Sequence, residues 1–423
     1  MEKTSERYAF YLRILKEELV PAMGCTEPIA IAYGAAKARD VLGGIPDRIL
    51  VSASGNMIKN VKSVIVPNTG GLKGIEAAAA AGVVAGKPGK MLEVISEVRE
   101  EQYPVIAAYL RSAEIRVEPL ETDAPLDFAI WMQRGENTAR VRITDTHTGI
   151  VSVEHNGETV FSAKSGCEGA SEDERASMSV AEILEFAESV DTDDVREILS
   201  RQIACNVAIA EEGLKNDWGA NVGSVLLKTG DTVSVRARAW AAAGSDARMS
   251  GCGMPVVINS GSGNQGITVS VPVYVYAKEN GVGEERLYRA LVLSNLLAIH
   301  QKTAIGRLSA YCGAVSAGAA AGAGIAYLTG GGLSDIAHTL VNALAVTSGI
   351  ICDGAKPSCA GKIAAAVDAG ILGMEMYRAG QQFYGGDGIL SKGVEHTIAN
   401  VGRVGKDGMR ETDKEIIRIM TGC

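Results

Sequence analysis

The chain has 423 residues, 47% of them hydrophobic, and a formal net charge of −9. That length is more than one hydrophobic core usually covers, so we expect a large bilobed domain or two domains. The acidic balance, without any Lys/Arg-rich run, argues against a nucleic-acid partner. The first twenty residues are rich in charge and lack the apolar core of a signal peptide, which predicts a cytoplasmic protein.

Two helices are predicted at the start of the chain. Apolar residues recur in the first at three- and four-residue spacing, namely Tyr8, Leu12, Leu15 and Leu19. Pro21 ends this pattern, and Pro28 suits the first turn of a second helix that runs to about Asp40. Cys25 then lies just before a helix N-terminus, where the partial positive charge favours a thiolate over a thiol.

A stretch of more charged, strand-like sequence follows, from about residue 91 to residue 163. The dipeptide Asn156-Gly157 separates two of its strand-like runs and is typical of a β-hairpin. We interpret 91–174 as a small α+β lobe inserted between two helical parts, 1–90 and 175–423. A second β-rich stretch is predicted at 256–276.

Gly and Ala dominate the remaining predicted helices, which are 77–84, 313–327, 341–350 and 361–373. Such residues let helix axes approach closely, either within one chain or across a homodimer. The uncharged stretch 308–333 is long enough to cross a bilayer, but its Gly/Ala composition indicates a buried helix and no membrane span. The predicted fold class is α+β: a mainly helical domain of tightly packed Gly/Ala-rich helices with a small inserted α+β lobe.

Three cysteines near the C-terminal end, Cys312, Cys352 and Cys359, are typical of an incomplete set of metal ligands. Three thiolates on an iron-sulfur cluster leave one iron open for a substrate atom. Two alternatives remain from the pattern alone. Three cysteines with one water suit a catalytic zinc ion, and free cysteines are also common as small buried hydrophobic residues.

Three loops contain small polar residues that suit the binding of an anion. The loop from Ser260 to Gly266 is rich in residues whose backbone amides form anion-binding nests. Similar loops surround Asn56 and the pair Asn68-Thr69. Loops of this kind also occur in pyridoxal-phosphate enzymes, for which Lys59 is the candidate Schiff-base lysine, but the long Gly/Ala helices do not match the alternating strands and helices of those proteins.

These motifs together resemble the iron-sulfur L-cysteine desulfidase family, a serine-dehydratase-like family that is similar to the α part of bacterial iron-sulfur L-serine dehydratases. The resemblance spans nearly the whole chain. It rests on the segment from Pro21 to Pro28, the loops at 54–60, 66–70 and 260–266, and Cys312 together with Cys352-x6-Cys359. In the serine dehydratases the second and third cysteines lie farther apart, so the spacing favours the desulfidase branch.

The resemblance implies a [4Fe-4S] cluster with one open iron, held by Cys312, Cys352 and Cys359, in the helical catalytic domain. It also implies conversion of L-cysteine to pyruvate, ammonia and hydrogen sulfide. Cys423, the last residue, is a candidate fourth ligand in the resting state. An iron-sulfur dehydratase acting on L-serine or a related amino acid is the first alternative, and a non-enzymatic metal- or cluster-binding sulfur sensor is the second.

A base is needed to remove the α-proton of the substrate. Cys25 is the first candidate, because of its predicted place at a helix N-terminus, and Lys59 and Lys356 are alternatives. The candidate substrate-binding residues all come from the three polar loops, and they are Asn56, Asn68, Thr69, Ser260, Ser262 and Asn264.

Overall fold

The computed structural model describes residues 1–163 and 172–422. Its strands are β1 (Pro21–Met23), β2 (Arg48–Ala53), β3 (Glu114–Pro119), β4 (Asp127–Arg134), β5 (Asn137–Thr144), β6 (Ile150–His155), β7 (Glu158–Ser162) and β8 (Pro255–Val257). Its α-helices are α1 (Glu6–Glu18), α2 (Thr26–Leu42), α3 (Gly55–Val61), α4 (Gly74–Ala85), α5 (Tyr103–Ser112), α6 (Glu172–Ala176), α7 (Val180–Ser189), α8 (Thr192–Lys215), α9 (Val222–Leu227), α10 (Val233–Met249), α11 (Gly263–Glu279), α12 (Glu284–Ile305), α13 (Gly313–Leu328), α14 (Leu333–Thr347), α15 (Cys359–Arg378), α16 (Val394–Arg403) and α17 (Arg410–Thr421). Short 3-10 turns occupy Pro88–Glu93 and Glu100–Gln102, and a π turn occupies Val404–Gly408. The predicted class, α+β and mainly helical, is confirmed.

The larger sheet has six strands in the order β3-β2-β4-β5-β6-β7, with β2 and β3 parallel and the other pairs antiparallel. One face of β4 and β5 packs on α2, where Gly34 lets the helix approach the side chains of Phe128, Ile130 and Ile143. The predicted hairpin is confirmed, since Asn156 and Gly157 both have positive φ between β6 and β7. Strand β2 precedes the predicted lobe boundary and yet belongs to this sheet; the division into 1–90 with 175–423 and 91–174 stays a prediction.

The helical part is a bundle in which α10 to α15 pack on one another. Helices α13 and α15 approach so closely that a Cβ atom at Gly322 would overlap the carbonyl oxygen of Gly370, and one at Gly318 would overlap the backbone of Ala366. Glycine is therefore required where these two helices cross. Within the described ranges, every helix is either too short or too polar to cross a lipid bilayer.

The prediction of a β-rich stretch at 256–276 is wrong. Only β8 is a strand there, paired with β1; a short turn follows it, and the segment from Gly263 onward is the buried helix α11. Its β-branched residues suggest a strand, but the segment is enclosed by other helices, and packing overrides this weak local preference. The hydroxyl groups of Thr268 and Ser270 donate to the carbonyls of Asn264 and Gly266, four residues earlier, as is usual within a helix.

Candidate active site

Two separate segments bring Cys312, Cys352 and Cys359 together. The first two cysteines flank an isolated antiparallel bridge, in which the Cys312 amide donates to Ile350 at 3.1 Å and the Cys352 amide donates to Ala310 at 2.6 Å. Cys312 is the N-cap of α13 and Cys359 is the first residue of α15. All three thiols are free.

The three thiols lie close enough to act on one another electrostatically. Burial raises the pKa of Cys312 to about 12, and the neighbouring Cys352 and Cys359 add to that rise. Burial likewise raises the pKa of Cys359, with Cys352 adding to it. Among the residues that the structure describes, no three His, Cys, Asp or Glu side chains converge closely enough to hold a single metal ion. The arrangement brings three soft sulfur donors together from two segments of the chain.

A buried lysine lies beside these thiols. Lys302, near the end of α12, is 4% exposed, and burial lowers its pKa to about 8, while Cys352 and Cys312 oppose that change. The ammonium group of Lys302 would offset negative charge on Cys312 and Cys352 if these two residues were thiolates. Sequence reasoning missed this residue, although a lysine that follows the long apolar run of α12 was an available signal.

Cys25 is the N-cap of α2, as predicted. Its thiol donates to Oε2 of Glu27 at 3.0 Å, and it packs in a small apolar cluster with Val64 and Met249 against which Cys359 also packs. The expectation that the helix N-terminus makes this thiol acidic is wrong. Burial raises the pKa of Cys25 well above its ordinary value, Glu27 adds to the rise, and the positive charge of Arg248 opposes it.

Glu27 is held from three sides. Besides the Cys25 thiol, the Thr26 hydroxyl oxygen lies 3.1 Å from Oε2, and Nδ2 of Asn60 donates to Oε1 at 3.3 Å. Its side chain is buried, and it has no Lys, Arg or His partner within ion-pair distance in the described ranges. Sequence reasoning quoted Glu27 within the motif around Cys25 and gave it no role.

The two candidate lysines both lie in ion pairs. Lys59 is buried and pairs with Asp413 of α17, with its Nζ 3.5 Å from the carbonyl oxygen of Cys352. Lys356 pairs with Asp353, which also pairs with Lys362. Lys59 is thus close to the cysteine group, and both ammonium groups are already engaged by carboxylates.

Only the first part of the predicted anion-binding loop is a loop, because the Ser262 N-cap starts α11 at Gly263. This part adjoins Cys25 through its neighbour Thr26, whose hydroxyl donates to the carbonyl of Gly261 at 2.9 Å. Ser260 has a positive φ of 50° and its hydroxyl donates to Oδ1 of Asn259. Ser262 is the N-cap of α11, with its hydroxyl 3.4 Å from the amide of Gln265. Asn264 carries a buried Oδ1 without a partner.

The loop predicted around Asn56 is wrong: Asn56 lies in α3, which begins there because the Ser54 hydroxyl caps it by accepting from the amide of Met57. Asn56 has a buried Oδ1 without a partner. Asn68 donates to the carbonyl of Ile95 at 3.2 Å, and Thr69 closes its own turn by donating to the carbonyl of Val66 at 2.7 Å. Asn68 and Thr69 therefore shape the loop, whereas Asn56 keeps an unused acceptor.

Two further buried residues reach the loop at 260–266 and were not predicted. His147, between β5 and β6, lies against Gly261, where a Cβ atom would be 3.1 Å from its Cε1. Arg248, at the end of α10, lies against Gly263. No sequence signal near either residue pointed to this loop, because both come from distant segments. Cys167 and Cys423 lie outside the described residues.

Residues 89–418 match the family model described as serine dehydratase alpha chain. The chain belongs to the serine dehydratase alpha-chain family. Three relatives, each named a UPF0597 protein, are similar to this chain along nearly their full length. The protein of Desulfitobacterium hafniense is 60% identical over 99% of this chain and 98% of its own. Those of Lachnoclostridium phytofermentans and Treponema denticola are 52% and 48% identical, over 98% and 99% of this chain and 99% of their own. The predicted relationship to a serine-dehydratase-like family is confirmed, and Cys312, Cys352 and Cys359 all lie within the matched range.

Proposed function

We propose that this protein is an L-cysteine desulfidase, a carbon-sulfur lyase that converts L-cysteine to pyruvate, ammonia and hydrogen sulfide with a [4Fe-4S] cluster. The observation that carries the proposal is the gathering of Cys312, Cys352 and Cys359 beside the thiol of Cys25. Membership of the serine dehydratase alpha-chain family supports a lyase. The spacing of the second and third cysteines supports L-cysteine as the substrate.

Cys312, Cys352 and Cys359 are suited to hold the cluster. When bound, it supplies an iron without a protein ligand, to which a substrate sulfur can bind so that sulfide leaves more easily. Two of the three ligands lie at helix N-termini and Lys302 adds a positive charge, and both oppose burial, which raises the thiol pKa values of Cys312 and Cys359. Zinc bound to the same three cysteines is the competing metal, and iron and zinc analysis of the anaerobically purified protein distinguishes the two.

Cys25 is the proposed base. Its thiol already donates to Glu27 at 3.0 Å, so its proton has an acceptor, and the resulting thiolate would remove the α-proton of the substrate. The electron pair of the broken Cα–H bond forms the Cα=Cβ bond while the Cβ–S bond breaks. The aminoacrylate product tautomerises to an imine, which water hydrolyses to pyruvate and ammonia.

The deciding experiment is a product assay on anaerobically purified protein, with L-cysteine and L-serine as separate substrates and with the visible spectrum followed in the same cuvette. We expect a broad charge-transfer band that changes when L-cysteine is added, with sulfide and pyruvate released in equal amounts. Replacement of Cys312 by Ser should remove the band, while the control variant Cys205→Ser on α8 should keep it.

Other outcomes select among the alternatives. Pyruvate from L-serine but not from L-cysteine would identify a dehydratase, which the family description favours. A cluster without turnover of either substrate would indicate a sulfur sensor. A borohydride-sensitive yellow chromophore would indicate pyridoxal phosphate and exclude the proposal.

A further inference from the structure

Arg248 is a buried guanidinium without a partner. Its side chain is 3% exposed, and its Nε has no hydrogen-bond partner. In residues 1–163 and 172–422 no carboxylate or carbonyl oxygen forms a hydrogen bond or ion pair with it. An unpaired charge in a protein interior is costly, and buried arginines are normally paired. The positive charge of Arg248 therefore lacks a counter-ion among the described residues, and a bound anion would supply one.

Another arginine of the same helix shows the usual arrangement. Arg236, also on α10, donates from Nε and Nη2 to the carboxylate of Glu279 at 3.1 and 2.9 Å, and it also pairs with Asp231. Arg236 is near the surface, where water would solvate it even without these partners. Arg248 is 3% exposed and has no carboxylate partner among the described residues, an arrangement that stability alone would not select.

The unpaired guanidinium of Arg248 lies in the candidate active site. A Cβ atom at Gly263 would overlap its Nε, so the guanidinium lies directly on the first turn of α11. The same turn carries Asn264 and Gln265, each with a buried side-chain oxygen that has no partner. The N-terminus of a 17-residue helix also favours an anion. Arg248 and the first turn of α11 therefore both carry buried polar atoms without partners, which indicates a polar ligand in this part of the site.

Arg248 is also near the proposed base. Its charge acts on Cys25 and on His147, and it forms an ion pair with neither Glu27 nor any other described carboxylate. A base that removes an α-proton must face the substrate Cα, and the α-carboxylate is bonded to that same atom. The group that anchors the carboxylate must therefore be a neighbour of the base.

We propose that Arg248 binds the α-carboxylate of the amino-acid substrate, with the first turn of α11 completing the subsite. The assignment rests on the proposed function for the identity of the substrate. The planar guanidinium suits a carboxylate because it can donate two parallel hydrogen bonds. Neutralising the carboxylate would also ease the build-up of negative charge at Cα as the proton leaves.

The test compares two small thiols on anaerobically purified, cluster-containing protein. One probe, 3-mercaptopropionate, has a thiol and a carboxylate; the other, cysteamine, has a thiol and an amine but no carboxylate. Binding is measured by calorimetry and by the rise in Tm, and neither measurement requires turnover. We expect Arg248→Met to weaken the binding of 3-mercaptopropionate on the order of 100-fold and to leave cysteamine binding nearly unchanged.

Two further variants separate a binding role from a structural one. Arg248→Lys keeps the charge but loses the second hydrogen bond, so it should recover part of the affinity for 3-mercaptopropionate. The control variant Arg236→Met should bind both probes as the wild type does. Because Arg248→Met removes an unpaired buried charge, its Tm without ligand should equal or exceed that of the wild type.

Several results would overturn the assignment. The first is that Arg248→Met binds 3-mercaptopropionate as tightly as the wild type does. The second is that Arg248→Met loses affinity for both probes equally and has a lower Tm. The third is that the wild-type protein binds neither probe. Failure of the proposed function is a different result, namely the absence of sulfide and pyruvate from wild-type protein given L-cysteine. A carboxylate-selective loss in that case would keep Arg248 as an anion-binding residue of another amino-acid or thiol-acid site.

Discussion

Cys25 lies at a helix N-terminus, and yet burial decides the state of its thiol. The helix start contributes a partial positive charge, whereas enclosure in an apolar cluster and the adjacent Glu27 carboxylate both disfavour a second negative charge. The net effect is a pKa well above the ordinary value. Glu27 would then serve as the acceptor of the thiol proton, a role that needs the 3.0 Å contact between the two side chains.

Replacing Cys25 by Ala should abolish turnover of L-cysteine and leave the cluster spectrum intact, because Cys25 is the proposed base and is not among the proposed ligands. A loss of about 100-fold or more in kcat is expected for removal of a general base. The measurement is the rate of pyruvate release, alongside iron content and visible absorption. Cys252→Ala, at another buried cysteine, is the matched control, and activity retained by Cys25→Ala would remove this residue from the mechanism.

At the scale of elements, glycines determine where two cysteine-bearing helices lie. Helix α13 begins directly after Cys312 and α15 begins at Cys359, and the two cross where Gly322 meets Gly370. Larger residues at this crossing would push the helices apart. The spacing of two proposed cluster ligands therefore depends on a contact more than two turns away in each helix.

Gly322→Ala is expected to destabilise the protein by about 1–3 kcal/mol, because the added methyl group meets backbone atoms that cannot move aside. The variant should also retain less iron after reconstitution, since Cys312 and Cys359 are displaced. Gly361→Ala on α15 is the control: it faces open space and should be neutral or stabilising by up to about 1 kcal/mol. Denaturant unfolding and iron analysis give the two results, and equal stability for both variants would contradict the argument.

For the molecule as a whole, His147 joins the sheet to the helical bundle. It comes from the connection between β5 and β6 and is buried against Gly261. Burial lowers its pKa to about 4, from an ordinary value of 6.5; Glu27 opposes this, and Arg307 and Arg248 reinforce it. The folded protein thus keeps this ring neutral at a pH where the unfolded chain would protonate it.

This shift predicts a loss of stability in acid. Because the pKa of His147 is lower in the folded state, its contribution is fully present above pH 6.5 and is lost as the pH falls towards 4, by up to about 3 kcal/mol. The free energy of unfolding, measured against pH, should therefore fall more steeply in the wild type than in His147→Gln. His155→Gln, on β6 of the same sheet, is the control, and parallel profiles for His147→Gln and the wild type would contradict the prediction.

The sequence by itself determined the fold class, the opening helices, the hairpin at Asn156-Gly157 and the candidate cysteines, because each depends on periodicity, turn chemistry or residue type within a short segment. It did not show that α11 is a helix, since local β preference was overridden by enclosure among other helices. Only the tertiary structure brought Lys302 to Cys312 and Cys352, and Arg248 to the neighbourhood of Cys25. These residues come from segments far apart in the chain, and they become buried only when those segments pack together. That burial raises the thiol pKa of Cys25 and encloses Arg248 without a partner.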